Sequence, residues 1–141
     1  MTAVQRGVDM CKMMYVLGAW TVAGLVAGCG DGSTEADRIG VGAECTASAE
    51  CPSDMEVALE CLTQFKGGYC GLEGCMGDAD CPEGSACVTS EGNNFCFRLC
   101  LDKPDCNRNR SLENESNCVG SISFVDPRNE RKACEPPSAG L

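Results

Sequence analysis

Apolar residues are spread very unevenly along this chain. A run from Met13 to Ala27 (MMYVLGAWTVAGLVA) is interrupted only by glycine and threonine, whereas beyond Asp31 large apolar side chains are sparse. The run is shorter than the ~20 residues of a membrane-crossing helix, follows Arg6 and Lys12, and ends in small residues, which predicts a secretory signal over residues 1–28 rather than a span. Cys11 would be lost with it. Asp9 sits oddly in the positive region, which makes Met10 or Met13 an alternative start. From Cys29 to Glu44 (CGDGSTEADRIGVGAE) there is no apolar period to bury. Glycine, acid and small polar residues predict a flexible tether over residues 29–44, with a typical end-to-end distance of about 20 Å.

Further on, short stretches with strand preference flank clusters with turn preference, the pattern of β-hairpins. Leu62 to Phe65 leads through Lys66-Gly67-Gly68 to a return at Tyr69-Cys70; Val88-Thr89 leads through Glu91 to Asn94 to a return at Phe95-Cys96-Phe97. A third, longer hairpin is predicted from Ser121–Val125, where apolar and polar residues alternate, through Asp126 to Asn129, and back along Glu130 to Cys134. Ser53 to Cys61 (SDMEVALEC) reads as about two helical turns capped by Ser53 or Asp54. The polar insertion Asn107 to Asn117 reads as a mobile loop, and residues 135–141 as a disordered tail.

Cysteine spacing gives these elements their frame. Of 14 cysteines, twelve fall into three units that share an opening C-x5-C. Cys45, Cys51, Cys61 and Cys70 form the first (45–70), Cys75, Cys81, Cys87 and Cys96 the second (75–96), and Cys100, Cys106, Cys118 and Cys134 the third (100–134). No C-x2-C pair is present, so the commonest metal-thiolate spacing is missing, and export to an oxidising compartment favours disulfides over metal. Pairing first with third and second with fourth, as in Cys75 with Cys87 and Cys81 with Cys96, ties both hairpin ends to the preceding loop. The apolar core is thin, whereas each cross-link is typically worth ~2–4 kcal/mol. The fold class is therefore small and disulfide-rich, a cysteine-rich domain over residues 45–134 with short β-hairpins and little regular secondary structure. Tyr69 and Phe95 each stand one residue before a fourth cysteine and are expected to pack against disulfides.

Charge and side-chain chemistry narrow the functions. The chain carries −10, and removing residues 1–28 leaves −11, so nucleic acid is not expected as a partner. There is no histidine; without the commonest general base and zinc ligand, neither catalysis nor a metal or other cofactor is expected. Asp78 and Asp80 read as caps of the turn before Cys81, with weak calcium binding as the alternative. Asn114-Glu115-Ser116 matches the N-glycosylation pattern. A rigid loop around Lys66 (Gln64 to Gly68) makes protease inhibition the alternative function.

Two resemblances add to this. Val26-Ala27-Gly28-Cys29 resembles the lipobox of bacterial lipoproteins, which implies that Cys29 is acylated and becomes the mature N-terminus. Cysteine parity agrees, because the other twelve pair completely and Cys29 is the odd one. Gly30, rather than aspartate, follows it, which resembles the default sorting route to the outer membrane. The run Cys75-x5-Cys81-x5-Cys87, then Cys96-x3-Cys100-x5-Cys106, is similar to the N-terminal cysteine-rich domain of Dickkopf proteins and to cysteine-repeat lipoproteins of exporting bacteria such as myxobacteria. The adjacent cysteine pair that usually closes the Dickkopf domain is lacking, so the resemblance implies a disulfide-rich module and no signalling role. The expectation is a lipid-anchored envelope or surface protein serving as a binding or structural module, with a membrane and an unknown protein as partners.

Overall fold

Disulfides and short antiparallel strands carry the fold of this computed structural model, which describes residues 33–53, 57–128 and 130–140. Every described residue belongs to the unit Asp31–Leu141. The expected signal over residues 1–28 and the acylated Cys29 lie outside the described residues. Six disulfides join first to third and second to fourth cysteine in all three units: Cys45–Cys61 and Cys51–Cys70, Cys75–Cys87 and Cys81–Cys96, Cys100–Cys118 and Cys106–Cys134. The third and fourth cysteines face each other across a strand pair each time. β1 (Glu60–Cys61) pairs with β2 (Cys70–Gly71), β3 (Ser85–Ser90) with β4 (Asn93–Arg98), and β5 (Asn117–Val119) with a last strand at Ala133–Glu135, all antiparallel. In the middle hairpin the turn is only Glu91-Gly92, both at positive φ (52° and 87°), the geometry that matches strand twist, so Asn93 and Asn94 belong to β4.

Each C-x5-C loop is closed by the same device. An acid immediately before the second cysteine accepts the backbone N–H of the residue immediately after the first. Thr46 donates to Glu50 Oε2 at 2.7 Å, Met76 to Asp80 Oδ2 at 2.8 Å and Leu101 to Asp105 Oδ2 at 3.0 Å. The loops so closed are 3-10 turns at Ser48–Glu50 and Asp78–Asp80 and a short helix at Lys103–Cys106. A bond that satisfies a turn donor and holds two cysteines at fixed separation explains why these polar loops are well formed.

Five expectations are corrected, because strand pairing within the first unit in one case, and contacts with remote segments in the others, outweigh local preference. The tether is folded from Thr34 onward. α1 (Glu35–Arg38) is too short to persist alone, but Ala36, Ile39 and Val41 are buried in the main core. The described residues of the expected helix at 53–61 are not helical: Ser53 bridges Ala58 and Glu60–Cys61 is a strand, while residues 54–56 lie outside the described residues. The third hairpin is split. β6 (Ser123–Phe124) pairs with β3 of the middle unit, which lets Ile122 and Phe124 pack on the larger core, and β7 (Ala133–Glu135) pairs instead with β5. The insertion is not a free loop. Arg110 donates to the carbonyls of Asn114, Gly42, Gly68 and Lys66 at 2.7–3.0 Å, and Ser111 donates to Glu44. Nor is the tail frayed: Lys66 donates to the Pro137 carbonyl, Ala139 to that of Gln64, and Phe65 bridges Ser138.

The core is a nest of four aromatic rings. Phe97 lies 5.1 Å from Tyr69, 5.5 Å from Phe65 and 5.8 Å from Phe95, and all four are buried. Tyr69 and Phe95 are thus packing residues, as their place before a cysteine suggested. The Tyr69 hydroxyl accepts the Arg98 backbone N–H at 3.0 Å, and burial pushes its pKa up to about 12, so it stays neutral.

Candidate functional site

A cleft forms where α1 meets the middle and third units. Thr34 caps α1 reciprocally with Asp37: the Asp37 N–H donates to Thr34 Oγ1 at 3.3 Å, and the Thr34 N–H to Asp37 Oδ2 at 3.1 Å. The helix docks on the Cys81-Pro82-Glu83-Gly84 turn, with Ala36 N–H donating to the Glu83 carbonyl and Glu83 N–H to Glu35 Oε2. Gly84, at φ +90°, is required here, since a Cβ would lie 2.2 Å from Thr34 Oγ1.

Below this joint is a cleft of about 330 Å³ lined by Thr34, Asp37, Arg98, Leu101, Asp105 and Arg108, among others. Charges alternate through it. Arg98, from β4 and almost fully buried, forms an ion pair with Asp37 through Nη2 and donates through Nη1 to the Asp105 carbonyl at 2.7 Å. Arg108 donates to Asp105 Oδ1 at 3.0 Å and stands 4.0 Å from Asp37. For Asp37, burial raises the carboxyl pKa, but hydrogen bonds from Thr34 and the charges of Arg98 and Arg108 outweigh it, and the pKa falls below its ordinary value. The Asp105 pKa is lowered as well, first by the Leu101 N–H. Both acids are ionised at neutral pH, so neither can donate a proton, and each is ion-paired with a guanidinium. The cleft is built to join three segments.

This gives a pH-dependent expectation. Because Asp37 titrates lower when folded than when unfolded, its stabilisation is present above the unfolded value near 3.8 and is lost as pH falls through the folded value. Asp37→Asn should therefore lower Tm at pH 7, and the gap from wild type should close below pH 3.8. Thermal unfolding followed by circular dichroism across that range measures it, and an equal gap at pH 7 and pH 2.5 would contradict it.

The other residues singled out by sequence sit elsewhere. Asp78 and Asp80 do not converge on a shared oxygen cage. Asp78 Oδ1 accepts the Cys87 N–H and Oδ2 pairs with Arg131 at 2.5 Å, while Asp80 closes its turn. The Asp78 carboxylate is neutralised by arginine, so calcium is poorly matched to it. In each unit three sulfurs lie within 4.8 Å of one another, for example Cys75, Cys81 and Cys96, because two disulfides lie side by side; bonded sulfur is not a thiolate ligand.

Lys66 is exposed, but its loop is not extended. Its Nζ donates to the Glu113 carbonyl at 2.7 Å, its N–H to Pro137, and its carbonyl accepts from Arg110. Gly67 and Gly68 then turn the chain at positive φ. A substrate-like loop must offer its backbone groups to the protease, and these are used internally.

Sequence reasoning missed Asp37, Arg98, Asp105 and Arg108. Two signals existed: the Thr34-x-x-Asp37 spacing of a capping box, and an acid immediately before the second cysteine of every unit. Compared with known proteins, the chain matches no family model, no curated protein and no solved structure.

Proposed function

We propose that this protein is a lipid-anchored module of the bacterial envelope, tied through an acylated Cys29 to the outer membrane, that serves by binding or by structural support and carries no catalysis. One observation supports the anchor above all. The six disulfides use all twelve cysteines from Cys45 to Cys134, so once the N-terminal segment with Cys11 is removed, Cys29 has no partner left in the chain. An exported protein gains from having no spare thiol, and a diacylglyceryl group on that sulfur supplies the two acyl chains that stable anchoring needs. The binding or structural role is supported by the build of the body: a cross-linked scaffold in which Asp37, Glu50, Asp78, Asp80 and Asp105 are engaged in turns and ion pairs. The inhibitor alternative loses its support with the internal bonding of the Lys66 loop.

Metabolic labelling with a fatty-acid analogue tests the anchor. Wild type should carry label, and Cys29→Ala should carry none and accumulate as an uncleaved precursor. Undiminished label on the alanine variant would refute the assignment.

A further inference from the structure

We infer that the rim of the Thr34 cleft faces the lipid surface, with Leu101 seated among the headgroups. This rests on the lipid anchor at Cys29. Five peptide units separate Cys29 from Thr34, a reach of at most ~18 Å when fully extended. Thr34 is itself fixed, by its capping bonds with Asp37 and its seat on Gly84. A membrane that holds Cys29 therefore lies within that reach of the cleft that Thr34 lines.

The rim suits such a neighbour. Leu101, which also lines the cleft, is 86% exposed, a large apolar side chain left in water. The side chains of Arg38 and Arg108 are 60% and 59% exposed. The charged residues that line the cleft, Arg98 and Arg108 against Asp37 and Asp105, cancel, whereas the chain as a whole carries −10. The cleft lining is therefore less repelled by anionic headgroups than the acidic remainder of the chain. One leucine cannot hold a protein on a membrane, but beside a covalent anchor its effective concentration at the surface is high, and it needs only to orient the domain.

Tryptophan provides the test, because Trp20 is the only one in the chain and lies in the removable N-terminal segment. Leu101→Trp, Met76→Trp and Leu112→Trp place one indole at each exposed large apolar position among the described residues; Met76 and Leu112 do not line the cleft. Each mature protein is purified from membranes and reconstituted in phosphatidylglycerol–phosphatidylcholine vesicles with brominated acyl chains. Leu101→Trp should lose emission and shift to the blue, with both others unquenched. Quenching at position 101 no greater than at 76 and 112 overturns the orientation. Intact mass of the same samples separates the two claims: a diacylglyceryl cysteine with no selective quenching refutes the orientation alone, and a mature protein without lipid refutes the anchor as well.

Discussion

Phe97→Ala is expected to lower the free energy of unfolding by about 3–5 kcal/mol, the range for truncating a fully buried phenylalanine. Phe97 has no exposed surface, and its ring touches those of Phe65, Tyr69 and Phe95. The cavity cannot collapse easily, because the strands on either side are pinned by Cys81–Cys96 and Cys51–Cys70. Urea denaturation without reductant measures the loss as a lower midpoint at unchanged slope. A shift under 1 kcal/mol would mean that the disulfides alone carry the fold and the aromatic nest is incidental.

Removing one disulfide should have a comparable effect, and its reach is the sharper test. For Cys81→Ala with Cys96→Ala, a sequence separation of 15 residues corresponds to about 3 kcal/mol of lost restriction on the unfolded chain. Alanine avoids burying two hydroxyls. The buried cluster takes Leu59 and Phe65 from the first unit, Val88 and Phe97 from the second and Ala133 from the third, together with Ile39 from the N-terminal segment. Backbone amides in all three units should therefore lose protection from hydrogen exchange together. Loss confined to residues 75–96 would show three independently folding units and would remove the basis for a shared core.

The parts that sequence revealed are those fixed by local spacing. The repeated C-x5-C loop and cysteine-bracketed hairpin point to pairing within units, which still leaves three patterns per unit; first with third and second with fourth is favoured because it ties both hairpin ends to the preceding loop, and it is the pattern observed. Tyr69 and Phe95 were legible for the same reason: a large ring next to a disulfide has nowhere else to go. The misread parts depend on remote partners. Ile39 and Val41 look like isolated apolar residues in a polar stretch until Phe65 and Tyr69 supply a surface for them. Phe124 alternates correctly for a strand, but its partner is Val88 and not the return of its own hairpin, because the third unit's own buried cluster consists only of cysteines. Arg98 carries no local sign that its guanidinium will be buried. Its acid, Asp37, is 61 positions away, and no spacing rule spans that gap.

The crossed disulfides also decide what a protease can achieve. With first joined to third and second to fourth, a single backbone cut anywhere between the outer cysteines of a unit leaves both fragments covalently attached. Between Cys45 and Cys134 only the joints between units, residues 71–74 and 97–99, lack a bridging sulfur pair, so a nick there could part the cysteine-rich domain. Both joints are woven into the sheets. Glu73 bridges Phe95, the Leu72 carbonyl accepts the Cys96 N–H, and Leu99 bridges Ala133. Proteases bind their substrates as free extended strands, and these two have already given their edges to neighbours. A molecule nicked within a unit thus keeps its pieces joined and its strands paired.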